Sequence, residues 1–432
     1  MFLKEYITKI KNNTVLLDKK DWINRFDLFD HIKQDMPSSR IEEWKNFKTN
    51  YLKKTNWQLF NAQLKSSLDV SDGVKAFSNS IIFEDGKFNP TLSSYKSDQG
   101  IKVSNIKDYI ESNPHIKSKL YSDSEKYAEN RLSGVVDKTP AYFISLNSIL
   151  SSGTVIEIQE KKKIEGLINI IHIFSNAENE NLVNPYIAII SKKGSQSNIQ
   201  EIFYDIDCWV NNVTEVFLEN ESKLVFSRLQ SKVHKGIKTS SFNCHLENSA
   251  EIELKVLNRE NCKEDIRVFL NEDNSKATIS GMIFSCKNHQ SDVFCKTVHK
   301  GKNTFSDQKW RLISAEKSKT SINGKICVNR NAKGSDASFY SKSLNLDENS
   351  NSFSKPELEI LEDDVKCKHG ASFGEIDKNI IFYMQSRGIK REDAIMMLVY
   401  AFIEEIGLGV NEGERQGIKL VDEIFKGLKG NE

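Results

Sequence analysis

The sequence predicts a mainly β chain, a parallel β-helix (solenoid) flanked by an N-terminal and a C-terminal helical region. Three observations predict it. A string of apolar residue, polar turn, small residue, charge and apolar residue occurs as Leu218-Glu219-Asn220-Glu221-Ser222-Lys223-Leu224. It returns 28 residues later as Leu246-Glu247-Asn248-Ser249-Ala250-Glu251-Ile252, and repeats in this length range mark stacked architectures. Between about 141 and 370 a helical period is almost absent, and the only Asn-Gly or Asp-Gly pair is Asn323-Gly324, so tight hairpins do not account for the strands. Past Gly370 the apolar spacing becomes helical. An ordinary β-sandwich is the competing reading, but it needs the hairpin turns that are missing.

Taken in order, residues 1–138 form a helical and mixed region. Trp22, Phe26, Phe29 and Ile32 fall at helical spacing, and Pro37-Ser38-Ser39 ends that helix and opens another near Trp44. Ile81-Ile82-Phe83-Glu84-Asp85-Gly86-Lys87-Phe88 alternates about an Asp-Gly pair, the signal of a two-residue hairpin. Residues 102–135 read as polar and helical. The solenoid spans 139–370, with Ile190 set 28 residues before Leu218, Leu270 set 24 after Leu246, Val298 a further 28 on, and Val328 before Asn329. Each rung of such a stack buries its inward apolar residues against its neighbours. The C-terminal helical domain, 371–432, carries three stripes: Ile376, Ile380, Ile381 and Met384, closed by Arg387-Gly388; Ala394, Ile395, Leu398, Phe402 and Ile406, opened by the acids Glu392-Asp393; and Ile418, Val421, Ile424, Phe425 and Leu428.

Composition excludes several function classes. Lys and Arg number 61 against 60 for Asp and Glu, interspersed along the chain, which argues against nucleic acid or an anionic membrane as partner. No apolar run reaches membrane-spanning length, and Met1-Phe2-Leu3-Lys4-Glu5 lacks the plan of a signal peptide, so a soluble, cytoplasmic protein is expected. Seven cysteines, odd in number and without a CxxC pair, predict no disulfide framework. No phosphate-binding glycine loop, nucleophile elbow or His-Glu-x-x-His is present. Cys286, His289, Cys295 and His299 have the chemistry to hold zinc, but the spacing is wrong for a finger, and Cys295 and His299 on one strand stand about 13 Å apart. A secreted-type polysaccharide enzyme would need a carboxylate cluster on one face, whereas the acids here are expected mainly in turns.

The best candidate site is Asp363-Asp364-Val365-Lys366-Cys367-Lys368-His369-Gly370-Ala371. On an extended segment residues i and i+2 share a face, so Cys367 and His369 present a sulfur and a nitrogen to one soft metal ion. Two ligands do not close a site, so either a partner supplies the rest or the pair is structural.

This run, with Pro356-Glu357-Leu358-Glu359-Ile360 before it and Gly374, Asp377, Phe382-Tyr383 and Ser386-Arg387-Gly388-Ile389 after it, resembles the C-terminal signature of the SufB/SufD family of iron–sulfur cluster assembly proteins. Asn323-Gly324-Lys325-Ile326, Asp336-Ala337, Pro37-Ser38-Ser39-Arg40, Glu43-Trp44-Lys45 and the Asp85-Gly86 hairpin extend the resemblance over nearly the whole chain. The Lys-Cys-x-His-Gly form at 366–370 is similar to the SufD branch rather than to SufB, whose Gln-Cys-Asp-Ser stretch is absent; Lys368 and the residues near Phe339 depart from the usual pattern.

The resemblance implies a right-handed central β-helix and a non-catalytic scaffold subunit of a SufB–SufC–SufD complex. SufB would pair with it through the β-helix, and the SufC ATPase would dock on the C-terminal helices, where Phe402, Glu404 and Glu405 are the residues to examine. His369 matches the family's functional histidine and would ligate iron of a nascent cluster shared with SufB, or make an interface hydrogen bond only; Cys367 is a ligand or is packed inward. No nucleotide is expected on this chain, a reduced flavin enters only at the level of the complex, and a homodimer without SufB stays open. The alternatives are a β-helix carbohydrate-active enzyme and a SufB-like subunit that holds the cluster alone.

Overall fold

The computed structural model describes residues 44–60, 79–95, 97–120, 139–174, 180–204, 206–230, 236–404 and 406, with isolated positions 5, 8, 36, 37, 41 and 64. The predicted helix carrying Trp22 to Ile32, the stripe from Ile418 to Leu428 and Glu405 lie outside the described residues.

Two parallel sheets face each other and form a solenoid of about seven turns. The first sheet runs, in spatial order, β20 (Asn351–Ile360), β18 (Lys319–Val328), β16 (Gln290–His299), β14 (Cys262–Leu270), β12 (Ile237–Leu246), β10 (Trp209–Leu218), β8 (Tyr186–Ser191), β5 (Thr154–Ile158) and β4 (Ile101–Asn105). The second runs β21 (Lys366–Glu375), β19 (Asp336–Asn345), β17 (Phe305–Ser314), β15 (Lys276–Ser285), β13 (Glu251–Arg259), β11 (Lys223–Gln230), β9 (Gln196–Phe203), β6 (Lys163–Ile173), β2 (Ser80–Glu84) and β3 (Lys87–Phe88). From β8 to β21 consecutive strands alternate between the sheets, so each turn adds one strand to each. A short pair, β1 (Gln58–Leu59) with β7 (Asn181–Val183), joins the first sheet at its side. Between the sheets lies one continuous core of inward residues, including Val216, Leu224, Phe226, Phe242, Leu254, Ile266, Ile279, Leu312, Ile326 and Phe339, all buried.

Registers make the repeat concrete. Leu218 pairs with Leu246, Leu246 with Leu270, Leu270 with His299, His299 with Val328, and Val328 with Ile360. Two expected positions are corrected by one residue: Leu218 pairs with Ser191 rather than Ile190, and His299 rather than Val298 follows Leu270. Strand side chains have a period of two, so each slip moves a residue to the other face. Val298 therefore points outward, and His299 occupies the inner row, fully buried, with Nδ1 2.7 Å from Thr304 Oγ1 and Nε2 2.8 Å from Ser306 Oγ. Those two hydroxyls satisfy both ring nitrogens, which is what lets a polar ring replace an aliphatic one there.

The Asp85-Gly86 hairpin is present: β2 and β3 pair antiparallel, and both turn residues have positive φ, +46° and +84°, as a primed two-residue turn requires. Of the helical reading of 102–135, residues 121–135 lie outside the described residues, and within 102–120 it holds only in part. Ile101–Asn105 is a strand antiparallel to Thr154–Ile158, and the helix that follows, Ile106–Ser112, is short and capped by Asn105, whose side chain accepts from the Lys107 amide. A helix also spans Thr139–Leu150, where apolar residues on every side conceal the period; Tyr142, Phe143, Leu146 and Ile149 pack with Trp44, Phe47, Trp57 and Trp209 on the outer face of the first sheet. A further short helix, Asn50–Lys54, lies in this N-terminal layer.

We number the described helices α1 (Asn50–Lys54), α2 (Ile106–Ser112), α3 (Thr139–Leu150), α4 (Lys378–Ser386) and α5 (Arg391–Glu404). Asp377 caps α4 by accepting from the Asn379 amide at 2.8 Å, and Gly388 follows its end with φ +88°, the left-handed conformation that terminates many helices. Of the expected stripe on α5, Ala394 is buried, as is Ile406 just beyond the helix, and Ile395 and Phe402 pack half-buried; Val399 and Ile403 add the fully covered contact, on Leu257, Met282, Phe284 and Ile313 on the outside of the second sheet.

Candidate functional site

The solenoid ends at an open rung. β20 pairs only with β18 and β21 only with β19, so each sheet finishes in a strand with one free edge. Nearly every residue of both strands is exposed or half-buried, and Tyr340, Phe353, Leu358, Ile360, Leu361 and Phe373 leave large apolar surface around the opening. Free edges lined with apolar groups are templates for further pairing.

Cys367 and His369 lie on β21. Cys367 registers with Ala337 and packs, half-buried, against the main core, which fixes it as an inward residue; alternation puts His369 on the same face, in register with buried Phe339. His369 is exposed because no rung covers it. Burial, then the Asp336 carboxylate, push the Cys367 thiol above its ordinary range. The pair therefore sits at the mouth of the stack, a soft sulfur and an imidazole nitrogen on the inward face of a strand that no further rung covers.

The floor beneath them is shaped by a glycine. A Cβ on Gly324 would lie 1.8 Å from Phe339 Cε2, so the Phe339 ring occupies the place of a side chain at 324. The same device recurs deeper, where the Trp310 ring fills the space beside Gly281.

The other cysteines do not converge. All seven are free thiols, and Cys208, Cys244, Cys262, Cys286, Cys295 and Cys327 are buried. Cys286 Sγ lies 3.4 Å from Glu260 Oε1 and His289 Nδ1 3.7 Å from Glu260 Oε2, while Cys295 sits in the core and His299 is enclosed by hydroxyls. Among the described residues no three His, Cys, Asp or Glu side chains form a metal centre.

Of the three residues singled out on the helices, Glu404 is exposed, while Phe402 is half-buried under Arg311, whose guanidinium lies 5.2 Å from the ring and donates from Nε to the Phe402 carbonyl at 3.0 Å. The exposed apolar side chains of these helices are Ile380, Phe382, Tyr383 and Met397; Phe382 is 74 % exposed.

Sequence reasoning missed a charged cluster sealed inside the solenoid. Glu201 accepts from His172 at 3.0 Å and meets Arg228 at 3.4 Å; Arg228 Nε lies 3.0 Å from Glu264, which pairs with Lys238 at 3.1 Å, and all five are buried. The acids are thus not confined to turns. Burial alone would raise the Glu201 carboxyl, but Arg228, His172 and Lys238 together hold it at about 2, while burial lowers the His172 imidazole. The available signal was the inward row itself, where Arg228 stands two residues after Phe226 and Glu264 two before Ile266.

With this geometry in place, the similarities to known proteins can be read. Residues 173–402 match the family model for the SUF system FeS cluster assembly, SufBD core domain. An iron–sulfur cluster assembly protein SufD of Escherichia coli is 35% identical over 150 residues, covering 34% of this chain and 36% of that protein. A SufBD family protein of Staphylococcus epidermidis is 25% identical over 290 residues, 65% of this chain and 62% of its relative, and one of Mycobacterium bovis is 30% identical over 139 residues, 32% and 16%. The chain thus spans less than two thirds of the length of each of these relatives.

Proposed function

Because the chain belongs to the SufBD family of SUF-system iron–sulfur cluster assembly proteins, we propose that it is a non-catalytic scaffold subunit that completes its assembly site by joining a second, SufB-type solenoid at the open rung. The observation that carries the proposal is Cys367 and His369 side by side on a strand with a free edge. A partner strand continuing both sheets would bury Phe353, Leu358, Ile360 and Phe373 and place its own ligands opposite the imidazole.

In this reading iron and sulfide are cargo. Neutral His369 supplies one nitrogen to iron of the nascent cluster while the partner supplies thiolate, a mixed ligand set suited to iron. Cys367 remains protonated at neutral pH in the isolated chain, since burial and Asp336 disfavour its thiolate; metal would have to displace that proton.

A SufC-type ATPase docks on α4 and α5, and the exposed Phe382, Tyr383 and Met397 are better placed for this than Phe402. The protein acts in the cytoplasm; among the described residues no helix is long and apolar enough to cross a membrane. Without its partner the same free edges favour pairing of two copies. Co-purification of the full chain with SufB- and SufC-type proteins of the same genome tests the proposal: a stable ternary complex supports it, and three separate species would sink it.

A further inference from the structure

A second feature stands apart from the open rung. On the outer face of the first sheet, Arg267, Lys296 and Lys325 occupy one row: Arg267 registers with Lys296 and Lys296 with Lys325 on three adjacent strands. Strands in a sheet are about 4.8 Å apart, and like charges directly opposite one another destabilise it. The two outer members are offset. Arg267 donates to Asp265 at 2.6 and 3.0 Å and lies 5.1 Å from the Phe294 ring, and Lys325 pairs with Glu359 at 2.8 Å. Glu357, the next residue of the row, is held by Lys355 at 3.0 Å and Asn323 at 2.8 Å. The half-buried Lys296 in the centre has no ion-pair or hydrogen-bond partner among the described residues. Burial, Arg267 and Lys325 lower its proton affinity below the ordinary lysine range, with Cys327 and Glu359 acting in the opposite sense.

We propose that Lys296, between Arg267 and Lys325, binds a small tetrahedral oxyanion of the phosphate or sulfate class on the outer face of the solenoid. A row of three cations with one uncompensated charge in the middle is a local violation of sheet pairing, and such violations are expected where a ligand supplies the missing partner. A dianion at Lys296 satisfies that ammonium and relieves the repulsion along the row. The neighbouring carboxylates are already engaged, Asp265 by Arg267, Glu359 by Lys325, and Glu357 by Lys355 and Asn323, so an anion at Lys296 meets paired acids rather than free ones.

The test is calorimetric titration of the full chain with inorganic phosphate and with sulfate, against sodium chloride at matched ionic strength. Wild type is expected to bind at one site, Lys296→Met to bind at least tenfold more weakly, and Lys296→Arg to retain binding. Selenate soaked into wild-type crystals, located by its anomalous signal, gives a readout that needs no variant and is expected at Lys296. Absence of binding in wild type, equal binding by Lys296→Met, an equal response to chloride, or selenate located only elsewhere would overturn the proposal, including the case in which a partner's carboxylate is the true counter-ion.

Discussion

Replacing Gly324 by alanine should damage the floor of the open rung through one buried ring. Gly324 pairs with Cys295 on one side and Pro356 on the other, and an added methyl group would lie 1.8 Å from Cε2 and 2.3 Å from Cδ2 and Cζ of Phe339. Carbon atoms in contact prefer about 3.5–4 Å, so the ring must retreat by roughly 1.5–2 Å in a slot where Phe339 has no exposed surface. Overpacking of this kind costs about 1–3 kcal/mol, and the fully enclosed site argues for the upper end, about 3 kcal/mol. Chemical denaturation followed by circular dichroism measures it. Phe339→Leu should relieve the clash, so the double variant should be more stable than the sum of the two single costs predicts, by 1 kcal/mol or more. A Gly324→Ala protein within about 0.5 kcal/mol of wild type, or strictly additive costs, would refute the reasoning. Because Phe339 registers with His369, the same variant should broaden or shift the His369 imidazole signals in an NMR spectrum.

Further outcomes follow from the interior charges and the helices. Glu201→Gln leaves Arg228 without one of its carboxylates inside the solenoid and should cost about 3–5 kcal/mol; a denaturation midpoint equal to wild type would contradict it. The Glu201 carboxyl is held at about 2, below its unfolded value of 4.5, so its contribution is full above pH 4.5 and is lost as pH falls toward 2. His299 is lowered by burial from 6.5 to about 4. The unfolded chain therefore takes up that proton first, and stability falls by about 3 kcal/mol as pH drops from 6.5 to 4. His299→Gln should flatten the stability profile in that window, and an unchanged slope would count against the assignment. Phe382→Asp should weaken binding of a SufC-type ATPase at least tenfold in a pull-down titration while leaving the fold intact, since the ring is 74 % exposed.

The solenoid was legible because its inward rows repeat and because α4 and α5 restore a helical period after the last strand. The register was less so. Successive equivalents from Leu218 to Leu246, Leu270, His299, Val328 and Ile360 are 28, 24, 29, 29 and 32 residues apart, since turns of unequal length absorb residues at no cost to the core. A fixed interval of 28 therefore misplaces Ile190 and Val298 by one. α3 was concealed by apolar residues all round, and the Glu201–Arg228–Glu264 cluster by the assumption that acids belong in turns. At the candidate site, the spacing of Cys367 and His369 on one strand face could be read directly. That this strand ends the solenoid was also legible, from the helical spacing past Gly370, but its free edge and the aromatic floor provided by Phe339 depend on which strands pair, and a single strand's sequence does not carry that information.

The central claim is that His369 at the open rung is part of the assembly site. Visible absorbance and iron content of the complex co-expressed with its SufB- and SufC-type partners, compared between wild type and His369→Ala, test it most directly. Loss of cluster from a complex that still forms with the same composition is the predicted result. An undiminished cluster yield in the His369→Ala complex would contradict it and leave the imidazole no part in assembly.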